Sequence, residues 1–335
     1  MLYHRLHPGI YVIHENEEWM PPFREAFARA GVECGEICLT QGAVDLGSPP
    51  PEGVFWSRMS ASCHTRGHGT SRDYGRALLL WLEQHGRRVV NGSQVLEFEV
   101  SKVRQYLALQ GHGFDTPRTV AVFGRRDLLE AAADFTAPFI TKHNQGGKGL
   151  GVRRFESHAD FAAYVGGEEF EEPADGITLL QEYVRTREFF ITRAEFIGGR
   201  FCCAVRVDTS AGSFELCPAD ACALPQAQAQ ALPELAGAAC DLTRPGRFAL
   251  RRDITAATPL IRRLEDFLEA HRIEVAGVEF METADGRQVI YDINTNTNYN
   301  RAVEEELRAD GGRGAADEVA AFLASLLRGT ELRAG

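Results

Sequence analysis

Apolar runs and amphipathic segments alternate along the first 95 residues. The apolar runs are short enough to be strands, and the amphipathic segments repeat at the helical period and end at glycines. The predicted strands are 9–14, 36–40, 54–59 and 88–91, and the predicted helices are 22–30 and 74–85. Strands that alternate with helices are typical of a small, mostly parallel α/β domain.

The rest of the chain mixes helices with hairpins. A helix over 97–110 would place Val100, Val103 and Leu107 on one stripe. The dipeptide Gly198-Gly199 is a two-residue hairpin signal between two strands. Further strands are expected at 119–123, 138–142, 152–155, 177–184, 188–197, 200–207, 274–281 and 288–293, and further helices at 127–133, 159–165, 259–271 and 315–327.

A glycine-rich loop follows a predicted strand that ends in Lys142. Four glycines within 146–151 free the backbone for unusual dihedrals and let amides approach an anion, and Lys148 adds positive charge. A flexible hairpin would explain the glycines, but it would not need the lysines. The loop is not a Walker A motif, because Gly follows Lys148, and no helix follows as in the dinucleotide fingerprint. We therefore expect the loop to bind phosphate groups, and a triphosphate is the expected ligand.

A polar run, 291–300, follows directly on another predicted strand. Packing a core does not require its Asp and Asn residues, although both favour turns, so that an ordinary polar loop is the alternative. Glu279 lies on the preceding strand, and antiparallel pairing would place it beside Asp292 and Asn294. Three converging oxygen donors indicate a magnesium site.

The segment 57–68 follows a strand of the N-terminal part. Open α/β sheets bind ligands at the carboxyl ends of their strands, and Arg offers paired donors to a carboxylate. A solvated loop with internal hydrogen bonds is an equal alternative. The candidate substrate residues in this segment are Arg58, Ser60, Ser62, His64 and Arg66.

Composition limits which binding partners and which cellular compartment are expected. The formal net charge of -11 argues against a nucleic-acid or anionic-membrane surface, since such surfaces need clustered Lys and Arg. The first residues lack the apolar core of a signal peptide, and no stretch is apolar enough to span a bilayer. The eight cysteines form no CxxC pair, so reduced thiols in a cytoplasmic protein are expected, with a metal at Cys217, Cys222 and Cys240 as the alternative.

These features occur in an order that resembles the ATP-grasp superfamily, and most closely its glutathione-synthetase and RimK-like ligases. The order is a helix lysine, Lys102, then Lys142 with its glycine loop, a polar pair at a strand end, a hairpin with arginines, and the acid–acid-x-Asn set. The resemblance covers nearly the whole chain, although the first ninety residues match in pattern rather than in motif.

The resemblance implies an α/β (α+β) ATP-grasp fold in three parts. Residues 1–95 would form a small, mostly parallel N-terminal domain, 96–180 a central subdomain with the phosphate lid, and 181–330 a C-terminal subdomain with the adenine hinge and the metal site. The two subdomains would clasp ATP between them.

The resemblance also implies a role for each matching residue. ATP would be bound by Lys102, Lys142, Gly146, Gly147, Lys148, Gly149, Gln181, Glu182, Val184 and Glu188. The ligands of one or two Mg²⁺ ions, or of Mn²⁺, would be Glu279, Asp292 and Asn294. The catalytic cations would be Arg206, Lys142 and Lys148. The substrate surface would also include Arg193, Asn296, Asn298 and Arg301.

The chain departs from the family pattern at two places. Such families usually carry Asp at the first metal position and Glu at the second, whereas this chain has Glu279 and Asp292. The run that contains Asn296 and Asn298 replaces the small residues common after the metal Asn. The second departure indicates a different acceptor pocket.

The chemistry implied is ATP-dependent joining of a small-molecule carboxylate to an amine through an acyl phosphate, with release of ADP and phosphate. A kinase or a carboxylate–thiol ligase would use the same fold with another acceptor. A non-catalytic nucleotide-binding module is the alternative from a different class. The sequence leaves the oligomeric state open, with a homodimer as the commonest choice.

Overall fold

The computed structural model describes residues 3, 6–147, 149, 151–210 and 247–334. Its N-terminal part is built on a four-stranded sheet in which the strand order is β2-β1-β3-β4 and every pairing is parallel. The strands are β1 (Gly9–His14), β2 (Cys34–Cys38), β3 (Gly53–Ser57) and β4 (Arg88–Val90). This confirms the mostly parallel α/β arrangement predicted for the start of the chain.

Helices cover both faces of this sheet. The helices are α1 (Pro21–Arg29), α2 (Ser71–Gln84) and, from the far end of the chain, α9 (Ala315–Ala334). On one face, α1 and α9 bury Phe23 and Leu323 against Val12 and Trp56, whereas α2 packs Leu79 on the other face. Burial of one such side chain contributes roughly 1.5–3 kcal/mol, so the C-terminal helix ties the two ends of the chain together.

Two antiparallel sheets follow. The first has the order β5-β8-β6-β7, and the second has the order β11-β10-β9-β12-β13. The strands of the first are β5 (Thr119–Phe123), β6 (Phe139–His143), β7 (Arg153–Phe155) and β8 (Ile177–Glu182), with helices α5 (Leu128–Ala132) and α6 (His158–Gly166). The strands of the second are β9 (Phe190–Ile197), β10 (Arg200–Asp208), β11 (Phe248–Leu250), β12 (Val275–Glu282) and β13 (Gln288–Asn294), with helices α7 (Pro259–Ala270) and α8 (Arg301–Ala309).

The single helix predicted over 97–110 is wrong. Two helices, α3 (Ser93–Glu99) and α4 (Lys102–Gly111), meet at Ser101, whose hydroxyl accepts a hydrogen bond from the backbone N–H of Arg104 and so caps α4. The break changes the buried face, because Leu107 of the expected stripe is 65% exposed while Tyr106 is buried. Among the described residues, no helix is both long and apolar enough to cross a membrane.

Asn91 joins the N-terminal sheet to the C-terminal one. It has a φ of 54°, a conformation that Asn tolerates better than most residues. Its Nδ2 donates to the carbonyls of Val275 (2.7 Å) and Thr295 (3.1 Å), and its Oδ1 accepts from the N–H groups of Glu274 (3.1 Å) and Val275 (3.2 Å). One buried amide therefore contributes four hydrogen bonds between the two parts of the molecule.

The Asn91→Ala variant should be destabilised by about 3 kcal/mol, because buried backbone groups lose their partners. The measurement is the free energy of unfolding in urea. The Gln110→Ala variant, which removes an exposed bond to Thr116, is the control and should change this value by less than about 0.5 kcal/mol. Equal losses in the two variants would contradict the bridging role of Asn91.

Candidate active site

A cavity of about 700 Å³ lies where the three sheets meet. Its wall contains residues from the loop after β3, from both antiparallel sheets and from the start of α4. Predicted site residues that line it are Ser60, Ser62, Lys102, Lys142, Gly146, Gly147, Gly149, Gln181, Glu182, Val184, Arg193, Glu279, Asp292, Asn294, Asn296 and Asn298. The structure therefore brings most of the separate sequence motifs into one cleft.

Two carboxylates face each other across the β12–β13 hairpin. The strand register pairs Glu279 directly with Asp292, next to an irregularity in the ladder. Asn294 donates its Nδ2 to Glu279 Oε1 over 3.3 Å, which leaves the amide oxygen of Asn294 as the atom it can offer to the cleft. The hydroxyl of Tyr291 donates to Glu279 Oε2 at 2.7 Å. Two carboxylates and one amide thus converge as the sequence predicts.

The two carboxyl groups are held in different electrostatic environments. Burial raises the pKa of Glu279, against the lowering effect of the Arg193 guanidinium. Burial also acts to raise the pKa of Asp292, but Lys102 and Lys142 outweigh it and hold this pKa below its usual range. Asp292 is consequently an anion at neutral pH, with Lys102 Nζ 2.5 Å from its Oδ1.

Lysine is scarce in this protein and is concentrated at the cleft. The chain has three lysines among its 36 basic residues, and the two that the structure describes both line the cavity. Lys142 Nζ lies 3.2 Å from the carbonyl oxygen of Tyr291 and 3.4 Å from the hydroxyl of Tyr106, which are both neutral groups. A buried ammonium among neutral oxygens is well suited to receive an anion.

Arg193 links the carboxylates to the loop beyond them. Its Nη1 donates to Glu279 Oε1 at 2.7 Å, its Nε donates to Glu195 Oε1 at 2.6 Å, and its Nη2 donates to the hydroxyl of Thr297. All four side chains are buried. A mid-strand arginine is usually expected on the solvent face, but here the two carboxylates stabilise the buried charge.

The end of β8 contributes a polar edge to the cleft. Gln181 is buried, and its Nε2 donates to Tyr106 Oη and to Thr119 Oγ1, each at 2.9 Å. The Glu182 carboxylate accepts the backbone N–H of Arg118 at 2.9 Å, and Val184 follows in the connecting segment that also lines the cavity. Apolar side chains also line the cavity: Ile140, Val152, Phe189, Ile191 and Met281.

The glycine-rich loop reaches across to the N-terminal part. Gly147 approaches Ser62, and Gln145 donates its Nε2 to the carbonyl of Ala61 at 3.4 Å. Gly151 has a φ of 67°, and a Cβ there would lie 2.1 Å from His143 Cδ2, so this position requires glycine. Lys148, with the candidate metal cysteines Cys217, Cys222 and Cys240, lies outside the described residues.

The catalytic role expected for Arg206 is contradicted by its position. Register pairs Arg206 with Thr192, whereas Arg193 pairs with Val205, so the two arginines project from opposite faces of the sheet. Arg206 is exposed, and its guanidinium stacks 4.5 Å from the ring of Phe190. Arg193 is therefore the arginine of this hairpin that reaches the cleft.

Glu188 does not line the cavity either, which contradicts its expected contact with a ribose. The side chain is exposed and its carboxylate lies 3.5 Å from Arg187. The connecting segment after β8 bends here, so that Thr186 and Phe189 line the cavity on either side of it.

Four of the expected substrate residues also lie away from the cavity wall. Arg58 is completely enclosed by other loops, and Arg66 pairs with the buried Glu15 at 2.5 Å. His64 is half-buried beside them, and Arg301 begins α8 on the surface, where it pairs with Glu305 at 2.9 Å. Their positions contradict a direct contact with substrate.

Three residues without a sequence motif are also part of the site. Tyr106 accepts from Gln181 and donates to the carbonyl of Tyr291 at 2.9 Å, and burial raises its pKa to about 12. Glu99 and Trp19 line the cavity from α3 and from the β1–α1 connection. A single Tyr, Glu or Trp carries no distinguishing pattern, so only the fold identifies them.

The donor set fits a hard divalent cation. Asp292 supplies an ionised carboxylate, Glu279 a second carboxyl group and Asn294 an amide oxygen, and Mg²⁺ typically takes one or two carboxylates together with substrate phosphates. In the part of the chain that the structure describes, no three His, Cys, Asp or Glu side chains converge. Asn294 and a bound phosphate would therefore be needed to complete the coordination.

Comparison with solved structures identifies the fold. The chain is similar to the RimK domain ATP-grasp protein from Sphaerobacter thermophilus, with 17% identity, a TM-score of 0.62, and 94% of this chain and 98% of that chain covered. The ATP-grasp ligase PsnB, in complex with a phosphomimetic variant of its minimal precursor, Mg and ADP, matches at 14% identity and a TM-score of 0.60, over 96% of this chain and 99% of that chain. The D-cycloserine synthetase DcsG matches at 17% identity and a TM-score of 0.59, over 95% of this chain and 100% of that chain.

Neither a family model nor a curated protein matches the sequence. The structural likeness nevertheless extends over nearly the whole chain, and it agrees with the fold that the order of motifs predicts. The protein has the ATP-grasp fold.

Proposed function

We propose that this protein is an ATP-dependent ligase that joins a carboxylate to an amine and releases ADP and phosphate. The observation that carries the proposal is that the lysines and the candidate metal ligands line one cleft with the polar edge of β8 and several apolar side chains. These residues are Lys102, Lys142, Glu279, Asp292 and Asn294. A nucleotide would bind in such a cleft with its base against the β8 edge and its phosphates among the lysines.

The reaction that suits this site proceeds in two steps. An oxygen of the acid attacks the γ-phosphorus of ATP, the bond to the β-phosphate oxygen breaks, and ADP leaves. The amine nitrogen then attacks the acyl phosphate carbonyl, the tetrahedral intermediate expels phosphate, and the proton on nitrogen passes to solvent. Activation is needed because oxide is not a feasible leaving group from a carboxylate.

The residues of this chain would act mainly by positioning and charge neutralisation, as is general for phosphoryl transfer. Lys142 and Lys102 would hold the phosphates, and Lys148 would be a third cation on the glycine loop. Arg193 would face the transferred group. A preorganised donor of this kind is typically worth a few kcal/mol. A magnesium ion held by Glu279, Asp292 and Asn294 would neutralise phosphate charge, and Mn²⁺ would serve in the same place.

The activities named for two of the similar proteins support this chemistry. PsnB is an ATP-grasp ligase solved with Mg, ADP and a precursor, and DcsG is a synthetase. A kinase or a carboxylate–thiol ligase would share the ATP half of the site and differ in the acceptor. The proposed substrates are small molecules with one reacting carboxylate or one reacting amine.

The test is ADP release from ATP and Mg²⁺ with a panel of acids, in the presence and absence of an amine. Hydroxylamine serves as the general amine, since it converts an acyl phosphate to a hydroxamate that is measured by colour and by mass. ADP and hydroxamate should form together and require the acid. A phosphorylated acid that persists in the presence of amines would indicate a kinase, and no ATP binding at all would overturn the proposal.

A further inference from the structure

The residues after the metal ligands alternate in direction. Asn294, Asn296 and Asn298 line the cavity, whereas Thr295 and Thr297 are buried on the other side. Glu99 accepts the Thr295 hydroxyl at 2.9 Å, and Thr297 donates its own hydroxyl to Glu195 at 3.0 Å. The alternation makes a wall of amide side chains that extends away from the site of phosphoryl transfer.

Hydroxyl groups also line the cavity. Ser60 and Ser62, from the loop after β3, both line the cavity, with their Oγ atoms 2.9 Å apart. We call the group formed by Ser60, Ser62, Asn296 and Asn298 the polar subsite. All four side chains are neutral.

Two buried charges hold the loops of the polar subsite: Arg58 lies behind the cavity wall, and Glu99 lines the cavity. The Arg58 Nη2 donates to the Thr297 carbonyl at 2.9 Å and to Asn298 Oδ1 at 2.7 Å. The Glu99 carboxylate accepts the backbone N–H groups of Thr295 at 2.8 Å and Ala61 at 3.3 Å. The two charges have opposite signs, and the hydrogen bonds to the loops occupy the oxygens of Glu99, so both charges chiefly position the subsite.

The polar subsite offers both donors and acceptors. Asn298 Oδ1 is occupied by Arg58, so the amide N–H groups of Asn298 are the ones it can present to the cavity. Asn296 Oδ1 is buried, so the accessible amide atom of Asn296 is its Nδ2, and the hydroxyls of Ser60 and Ser62 are the acceptors on the cavity wall. Donors and acceptors in one subsite match the two polar groups of an amide.

We infer that the polar subsite binds the non-reacting part of the carboxylate substrate, and that this part is uncharged and carries amide groups, as in a peptide or an N-acyl amino acid. The inference rests on the proposed function. The reacting carboxylate has to meet the transferred phosphoryl group beside Asn294, so the rest of the acid extends along Asn296 and Asn298. A second carboxylate or an ammonium there would lose water and meet only charges that already have partners, which is costly. Glu99 is bonded to the loops, and Arg66, which donates to Ser62 Oγ at 3.2 Å, is paired with Glu15.

Matched pairs of acids test the inference. The capped member of each pair has the reacting carboxylate as its only charged group, and the other member carries additional free charged groups. The pairs are N-acetyl-aspartate α-amide and aspartate, N-acetyl-glutamate α-amide and glutamate, and N-acetyl-alanine and alanine. With hydroxylamine as the amine, the capped member of a reactive pair should show a kcat/KM at least about tenfold above its charged counterpart. Equal or better use of the charged member in every reactive pair would overturn the inference and leave the ligase proposal intact.

A binding measurement separates the two proposals if no acid reacts. Calorimetric titration of the capped and the charged acids into the enzyme with ADP and Mg²⁺ reports on acid binding without turnover, and the difference within a pair reports on the polar subsite. Binding of a capped acid without turnover would support the subsite and contradict the ligase. The absence of both binding and turnover would overturn both.

Variants of the polar subsite provide the second test. Asn296→Ala and Asn298→Ala should each raise the KM of the capped acid by about tenfold, the effect of one lost hydrogen bond, while the KM of ATP stays unchanged. The control is Asn300→Ser, in the same loop but off the cavity wall, where serine preserves the cap of α8 that Asn300 Oδ1 provides. An unchanged KM of the acid in both alanine variants, or an equal rise in the KM of ATP, would contradict the inference.

Discussion

The Asp292→Asn variant is expected to lose turnover by a factor of about 10³ and to keep its fold. The substitution preserves the shape of the side chain and its hydrogen bond from Lys102, but it removes the one carboxylate of the site whose pKa lies below the usual range. Stabilisation of charge in the transition state by a cation at this position then fails, an effect of about 10²–10³ or more for comparable electrostatic groups. The measurement is kcat for ADP release, with circular dichroism to check the fold.

Asp285→Asn is the matched control for Asp292→Asn. It makes the same chemical change in the turn of the same hairpin, where Asp285 is exposed and binds Thr283 and Arg287. Its kcat should remain within about twofold of the parent, as for a surface substitution. Full activity of Asp292→Asn would contradict the metal assignment.

Removing the ammonium of Lys142 should chiefly weaken ATP binding. Lys142 Nζ contacts neutral oxygens of Tyr106 and Tyr291, so its charge is available to a phosphate. In Lys142→Ala the Kd of ATP should rise by about 10- to 100-fold, the loss of one or two charge-assisted hydrogen bonds. Calorimetric titration with ATP and Mg²⁺ measures this directly.

The control for Lys142→Ala removes a positive charge elsewhere in the central part of the chain. The side chain of Arg126 is 93% exposed and pairs with Asp127 at 3.3 Å, so that solvent screens it. Arg126→Ala should leave the Kd of ATP unchanged. If both variants weaken binding equally, net charge rather than a local contact determines the affinity, and the role assigned to Lys142 is wrong.

The order of helices and strands was largely predictable because it depends on local sequence signals: the spacing of apolar residues within an element and the glycines at a turn. The parallel sheet at the start of the chain and the hairpin at Gly198-Gly199 both follow from such signals. The break at Ser101 was not predicted, because Val100, Val103 and Leu107 continue the helical period across it. The capping hydrogen bond of Ser101, a stronger local interaction, decides where α4 begins.

The sequence predicts which side chains share the site when they are close together in the chain, but not when they are far apart. Asp292 and Asn294 share one strand, so their common face follows from the strand period. The two arginines of the β9–β10 hairpin required knowledge of the register, since a shift of one residue exchanges the faces of Arg193 and Arg206. A sequence motif does not fix that register.

Arg58 illustrates the other limit. Its bonds to Thr297 and Asn298 connect positions 239 and 240 residues away. An arginine at the end of a strand is equally well explained by a substrate contact and by such a bridge, and the choice depends on which loop folds back against it. Only the assembled structure distinguishes a residue that touches substrate from one that holds the residues that do.

The scarcity of lysine gives the protein an unusual chemical profile. Apart from its α-amine, the chain offers acylating reagents three primary amines: two line the cleft, and the third, Lys148, stands in the sequence between Gly147 and Gly149 of the cavity wall. Amine-directed labelling or immobilisation would therefore inactivate the protein, and ATP should protect it. Arginine carries the solubilising positive charge everywhere else, so the surface is nearly inert to the same reagents.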